Sequence, residues 1–417
     1  MKTVYFKTFG CRSNFFDTSV IAARLNEWQI ADNEADSDAI VVNSCTVTNS
    51  ADATVRAFVR RMRRENPKAK LLFTGCGAAS LGKRLLENAE IDGVFGHSEK
   101  ARIDDFLSAE KPFEALGALD SFDETIIDRF DGKTRAFIKI QDGCDFNCSY
   151  CVIPLVRGKA RSASKSFVLE QIKRLADRGF EEFVLTGVNT GAYGRDRGEN
   201  IADLIASIGK ISGVRRLRLS SIEPCLVSDE LLDICAAPFM AKHLHIALQH
   251  TSDRILKAMN RRNSVKSDRI LLEKVSKLGF AIGSDYIVGF PSESEEIFNE
   301  AIDRLKLLPL THIHIFPFSP REGTKAAKMK IDVNGLIANE RRKAIAKIID
   351  QKRRDFYLKN KESLIVLIEK DNSGLDQFFS RVQINSDSDH SGWIEVKKYS
   401  IDQNGAIEAR IEDCACL

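Results

Sequence analysis

The sequence predicts an α/β protein in three parts: an amino-terminal α/β domain, a central series of βα units, and a small carboxy-terminal antiparallel β-barrel. Three observations carry this. Short apolar runs alternate with amphipathic helical patterns up to about residue 355. A polar connector with a short helix, residues 101–133 ending at Asp131-Gly132, divides that alternation into two blocks. From about residue 361 the pattern becomes alternating apolar, as in Leu364–Ile368, Phe378–Ile384, Trp393–Val396 and Ala406–Ile411.

With 417 residues, 43% of them hydrophobic, the chain can bury substantial cores in two or three domains. No apolar run approaches the roughly eighteen residues that cross a bilayer. Met1-Lys2-Thr3-Val4-Tyr5-Phe6 reads as a first strand rather than a signal peptide. Ten cysteines at irregular spacing, three of them on one loop, do not make a secreted disulfide framework; they point to metal binding in a reducing cytoplasm. The net charge of +3 divides into −5 over residues 361–417 and +8 before them, a modest field compatible with RNA.

In the first block, Lys2–Phe6, Ala39–Asn43 and Leu71–Thr74 are candidate strands, and Thr18–Glu27 and Ala51–Glu65 candidate helices. Cys11, Cys45 and Cys76 each follow a strand, with gaps of 34 and 31 residues, the length of consecutive βα units. In a parallel sheet such units bring their loops to the carboxyl edge, where open α/β sheets bind ligands. Gly10, Gly75 and Gly77 would let the backbone turn close to a bulky ligand. Two readings stand: a three-thiolate cluster site, or three separate half-buried thiols. Arg56, Arg60, Arg61, Arg63, Arg64, Lys68 and Lys70 crowd the same block, and Arg60, Arg61 and Arg64 are candidate contacts to RNA phosphate against the alternative of a solvated helix face.

In the second block six strands are expected: Thr134–Ile140, Glu182–Leu185, Arg215–Ser220, His243–Ala247, Ile282–Val288 and Thr311–Pro317, with helices such as Val168–Arg178 and Arg269–Leu278 between them. That rhythm suits a barrel or a parallel sheet. After the first strand comes Gly143-Cys144-Asp145-Phe146-Asn147-Cys148-Ser149-Tyr150-Cys151. A structural zinc knuckle would usually add a fourth ligand nearby, and a cubane cluster also prefers four. Three tightly spaced thiolates therefore suggest an iron left open for a substrate. Asn189 and Glu223, beside strand-end turns, are candidate ligand contacts or turn caps. Asn339–Leu358 reads as a basic closing helix; Cys225, Cys235, Cys414 and Cys416 read as incidental thiols.

The cysteine loop, continuing into Val152-Ile153-Pro154-Leu155-Val156-Arg157-Gly158, resembles the radical S-adenosylmethionine (SAM) enzymes, and within them the methylthiotransferases acting on tRNA. FGCRSNFFDTS, VVNSCTVTNSADA, FTGCGAA and SPREGTKAA are similar to segments of the same family. The resemblance covers nearly all of residues 1–330. It implies a partial (βα)6 radical SAM barrel over 130–355, an amino-terminal methylthiotransferase domain over 1–120, and a degenerate TRAM-like β domain over 361–417. It implies that Cys144, Cys148 and Cys151 hold a 4Fe-4S cluster whose open iron chelates SAM, and that Cys11, Cys45 and Cys76 hold an auxiliary 4Fe-4S cluster. Tyr150 would pack beside the SAM adenine, and Asn189 and Glu223 would bond SAM polar groups. The expected chemistry is replacement of an adenine C2–H by C2–S–CH3 through a 5′-deoxyadenosyl radical. An electron donor such as flavodoxin or ferredoxin and a sulfur source are implied, with no membrane. Cys45-Thr46-Val47-Thr48-Asn49 resembles the branch modifying N6-threonylcarbamoyladenosine, whereas the isopentenyladenosine and ribosomal-protein-aspartate branches differ there. Gln249-His250-Thr251-Ser252 departs from the family's Gln-Ser-Gly-Ser. The rival of another class is an iron–sulfur RNA-binding protein without turnover.

Overall fold

The computed structural model describes residues 2–130 and 132–417; Met1 and Asp131, which the readings above included, lie outside the described residues. The first sheet is six-stranded and all parallel. Its strands are β1 (Thr3–Thr8), β2 (Gln29–Ile30), β3 (Ala39–Ser44), β4 (Lys70–Gly75), β5 (Gly93–Phe95) and β6 (Phe113–Ala115), in the order β2-β1-β3-β4-β5-β6. β3 is buried along its whole length, as a parallel strand covered on both faces must be. The helix after β1, α1, spans Arg12–Ala23 rather than Thr18–Glu27. It starts at once after Cys11, and Phe16, Val20 and Ile21 bury at helical spacing. The second helix, α2 (Asn49–Glu65), is capped by the Thr48 side chain, which accepts from the Ala51 N–H.

Two parts of the connector do more than link. Ile103–Ser108 is a helix and β6 completes the first sheet, while Ile127 and Phe130 are buried in the core of the next domain. The Gln171 side chain accepts from the Ile127 N–H and donates to its carbonyl.

The six central strands form where the alternation placed them: β7 (Ala136–Lys139), β8 (Glu182–Thr186), β9 (Arg216–Leu219), β10 (His243–His245), β11 (Ala281–Val288) and β12 (His312–Pro317). They make two parallel triplets, β9-β8-β7 and β10-β11-β12, joined by single bridges Leu217↔Met240 and Ile222↔Ile246. The result is a partial barrel-like sheet with helices outside. Residues 217 and 219 face those helices, so Arg216 and Arg218 point the other way, into the lumen, where both meet the buried Glu182 carboxylate. The closing helix α3 (Gly335–Lys359) is not merely a solvated basic face: Arg341 is buried, with Nη1 2.6 Å from the Glu293 carboxylate.

The tail is a curled seven-stranded sheet, a half-barrel rather than a closed antiparallel barrel. Its edges are the short strands Ser400–Ile401 and Cys414–Cys416, and Arg381–Asn385 pairs in parallel with Ile407–Arg410. The half-barrel docks on the central domain: Arg216 donates to the carbonyls of Ile365 and Leu375, and Arg218 to that of Asp376. Trp393 is buried, donates to Glu181, and lies under the guanidinium groups of Arg215 and Arg216. It packs the domain junction and offers no face for a base.

Candidate functional site: two cysteine sets on one face

Cys144, Cys148 and Cys151 occupy a loop fastened on several sides. The Cys144 N–H donates to Gly158 O, Ser149 donates from N–H and hydroxyl to Met259 and Ala258 carbonyls, and Ala326 N–H donates to Ser149 O. Gly143 needs its positive φ of +67°, and a Cβ there would lie 1.9 Å from Lys159 O. Burial pushes the Cys144 thiol up to about 11 and the Cys151 thiol up to about 12. Neither is a thiolate nucleophile by its surroundings; a metal would have to deprotonate them.

Cys11, Cys45 and Cys76 come from the carboxyl ends of β1, β3 and β4, and they converge. The Asn14 Oδ1 lies 4.0 Å from Cys11 Sγ and 3.9 Å from Cys76 Sγ. Gly10, at φ +98°, passes so close to Cys45 that a Cβ on it would fall 3.0 Å from the Cys45 Sγ. The three cysteine-bearing loops thus meet at one end of the sheet. Cys76 is buried, which pushes its thiol up to about 12 against the opposing pull of Arg157, whose Nε is 3.1 Å from its sulfur.

The described residues hold one trio of His, Cys, Asp or Glu whose ligand atoms all lie within 4.8 Å of one another: His245, Asp285 and His314. Neither cysteine set is drawn in that tightly. A single zinc ion, with Zn–S near ~2.3 Å, would need thiolates under about 4 Å apart. A cubane takes a more widely spread set of thiolates, because its irons sit at separate corners.

Two arginines tie the amino-terminal domain to the barrel beside the cysteine sets, and sequence reasoning gave neither a role although both lie in strings it quoted. Arg157, from the loop after Cys151, reaches across the domain junction to Cys76, to the Asn14 Oδ1 and to Asp17 at 3.1 Å, while holding Asp142 at 2.9 Å. Lys139 and Lys100 complete a fully buried cluster on Asp17 and Asp142. Within these five groups the charges are three positive and two negative, so a Cys76 thiolate beside Arg157 would balance them. Arg321 works on the other side. Its Nη2 contacts Thr46 Oγ1 at 2.7 Å and the Asp52 carboxylate at 2.6 Å, and its Nη1 contacts Asn49 Oδ1 at 2.6 Å. Within Cys45–Asn49, then, Thr46 and Asn49 dock the loop onto the barrel and Thr48 caps α2.

Two cavities flank the junction. One of about 240 Å³ is lined by Val47, Thr48, Tyr150, Cys151 and Phe318. The other, about 380 Å³, is lined by Cys11, Arg12, Arg218, His245 and Phe379. Asn189 is buried and neither atom of its side-chain amide has a partner among the described residues, a costly state that a bound ligand would relieve. Glu223 is paired with Arg261, whose Nη1 also lies 3.6 Å from Cys148 Sγ; no motif or spacing marks Arg261. Arg60, Arg61 and Arg64 are exposed on α2 but paired with Glu90, Glu34 and Glu65. At ~1.5 Å per residue they begin roughly 16 Å along the helix from the Cys45 end.

Residues 3–96 match the family described as Uncharacterized protein family UPF0004, and residues 138–305 match the Radical SAM superfamily. The chain is 46% identical over 411 residues to a protein of Helicobacter pylori (strain J99) named "Putative methylthiotransferase", covering 96% of this chain and 98% of that one. It is 35% identical to the threonylcarbamoyladenosine tRNA methylthiotransferase MtaB of Aquifex aeolicus, over 95% and 98% of the two chains. With the tRNA-2-methylthio-N(6)-dimethylallyladenosine synthase of the same organism the identity is 33%, over 83% of each. Among solved structures, the radical SAM methyltransferase TsrM from Kitasatospora setae aligns with a TM-score of 0.57 at 15% identity, over 76% of this chain and 75% of that one, a likeness of fold alone. Two cysteine sets facing one junction, an amino-terminal domain and a barrel that match these families, and identity along almost the whole chain agree: the protein belongs to the radical SAM methylthiotransferases.

Proposed function

We propose that this chain adds a methylthio group to C2 of N6-threonylcarbamoyladenosine next to the anticodon of tRNA. The observation that carries the reading is the convergence of Cys11, Cys45 and Cys76 on the same junction as Cys144, Cys148 and Cys151, with Arg157 spanning the two. Residues 1–120 would act as the domain holding an auxiliary 4Fe-4S cluster, 130–355 as the radical SAM domain, and 361–417 as a support that completes the barrel. A 4Fe-4S cluster with an open iron, together with SAM, supplies a carbon radical able to remove an unactivated hydrogen, which no side-chain acid or base can do.

The protein's own part is placement. Cys144, Cys148 and Cys151 would ligate the first cluster, and the loop bonds around Ser149 and Gly143 hold them in place. The free amide of Asn189 and the Glu223–Arg261 pair offer a donor, an acceptor and a fixed carboxylate to the polar groups of SAM. Tyr150 and Phe318 wall the smaller cavity, of a size for an adenine. Cys11, Cys45 and Cys76 would hold the second cluster next to the larger one, where sulfur must reach the base. The electron donor, such as flavodoxin or ferredoxin, and the sulfur source remain classes of partner. Among the described residues no helix is long and apolar enough to cross a membrane; a tRNA substrate supports a cytoplasmic location. Nucleoside mass spectrometry of tRNA from cells with and without the gene tests the reading. The methylthio form of threonylcarbamoyladenosine should disappear with the gene; its persistence overturns the proposal.

A further inference from the structure

The larger cavity is lined by Arg12, Lys133 and Arg218 and, among the described residues, by no carboxylate. Arg218 is 2% exposed. Its Nε donates to Glu182 at 2.6 Å and its Nη2 to the Asp376 carbonyl, but its Nη1 has no partner among the described residues. Glu182 already serves Arg216, so one carboxylate faces two guanidinium groups. Arg12, the first residue of α1, donates to Ser220 Oγ at 3.2 Å and has no carboxylate within 4.0 Å among the described residues. Arg12 and Arg218 flank one aromatic ring, Phe379, with guanidinium carbons 5.3 and 5.7 Å from its centroid. Both line the cavity that Cys11 also lines. A buried, unbonded guanidinium N–H is costly unless something arrives to accept from it. A guanidinium is the group best shaped for a carboxylate or phosphate oxygen pair.

We infer that Arg12 and Arg218 form an anion-binding subsite for the threonyl carboxylate on the N6 substituent of the substrate adenosine. The inference rests on the substrate reading given above. Its stereochemical basis is simple. C2 and the N6 substituent lie on the same edge of adenine, either side of N1, so a base with C2 turned toward the Cys11 set presents its N6 substituent to the same cavity. An uncharged dimethylallyl group there would leave Arg218 Nη1 without an acceptor and Arg12 without a carboxylate, so the subsite also selects between the two modified adenosines.

The test uses reconstituted holoenzyme and two anticodon stem-loop RNAs. One carries threonylcarbamoyladenosine, and the other differs only in having a carboxamide in place of the threonyl carboxylate. The wild type should prefer the carboxylate in kcat/KM by on the order of 10- to 100-fold, the usual worth of a charge-assisted bond. Arg218→Met and Arg12→Met should each remove most of that preference, chiefly by slowing the carboxylate RNA, while SAM cleavage and iron content hold. Arg218→Lys should restore part of it. Arg12→Met leaves the Glu182 pair untouched and so gives an answer if Arg218→Met does not fold. Equal rates on the two RNAs by the wild type overturn the inference while leaving the substrate reading in place. Equal losses on both RNAs in the variants also overturn it, and assign the arginines to backbone phosphate or to structure. No product from either RNA overturns the substrate reading and this inference together.

Discussion

Cys144, Cys148 and Cys151 lie within one eight-residue loop, while Cys11, Cys45 and Cys76 are drawn from three loops across sixty-six residues. The first set is held by backbone bonds made nearby, to Gly158, Met259 and Ala326. The second set depends on sheet order: β1, β3 and β4 are neighbours, so their carboxyl ends meet. It depends also on a buried charge cluster supplied largely by the other domain, through Arg157, Lys139 and Asp142. The difference teaches that a contiguous metal loop brings its own geometry, whereas a convergent one borrows it and should fail when the loan is withdrawn.

The sharpest way to separate the two sets is to remove one thiol from each. Cys148→Ala should abolish reductive SAM cleavage. Cys45→Ala should leave SAM cleavage intact and yield no methylthio product. Methylthiolated RNA made at a normal rate by the Cys45→Ala protein would break the comparison, because the convergent set would then have no part in the reaction.

Removing the support rather than a ligand comes next in size. Arg157→Met takes from Asp17 and Asp142 the guanidinium that bonds both in a dry site, and losing one partner of such a cluster typically costs ~3–5 kcal/mol. The variant should unfold at clearly lower denaturant. Wild-type protein reconstituted without air should hold about eight iron and eight sulfide per chain, and the variant about four of each, if the contiguous set survives alone. Equal iron in both proteins would show that the convergent set does not need Arg157.

A smaller effect concerns His97, whose Nδ1 lies 3.6 Å from Asp17 beneath the convergent set. Burial and the neighbouring Arg157 hold its imidazole down to about 3, so it is neutral in the folded protein at neutral pH. Below the ordinary histidine value near ~6.5, the unfolded chain takes up a proton there that the folded chain refuses. The contribution to stability is therefore full above that pH and is lost as pH falls toward 3, by up to about 1.4 kcal/mol per pH unit. Proton uptake on unfolding at pH 5 should drop by about one in a His97→Gln protein. An unchanged uptake would mean that the imidazole titrates freely.

The smallest effect tests reach beyond both sets. Replacing Arg60, Arg61 and Arg64 together should lower the salt slope of log K for tRNA by roughly 2–3 if each touches a phosphate. Since all three are already paired with carboxylates on an exposed helix, an unchanged slope would return them to surface ion pairs worth about 0–1 kcal/mol each.

What the sequence determined by itself was everything written in short-range pattern. Apolar runs and helical periods located β3, β4, β7 through β12 and α2 to within a few residues, because strand burial and helix amphipathicity are properties of consecutive residues. The Cys144–Cys151 loop was legible for the same reason, and the family strings extended that legibility to Cys11, Cys45 and Cys76. The tertiary structure alone decided which distant groups meet. Nothing near Arg157 or Arg321 in sequence says that each crosses to the other domain. Asn189 gained weight only when its amide proved to be buried without a partner, and Arg261 and Arg218 became visible only beside Cys148 and in the lumen. The tail's outcome turned on pairing and docking: its two edge strands do not pair with each other, and the buried Trp393 fastens the sheet to the barrel. Contacts between residues far apart depend on which strands pair and which charges must share a dry space, and those are settled by the whole chain at once.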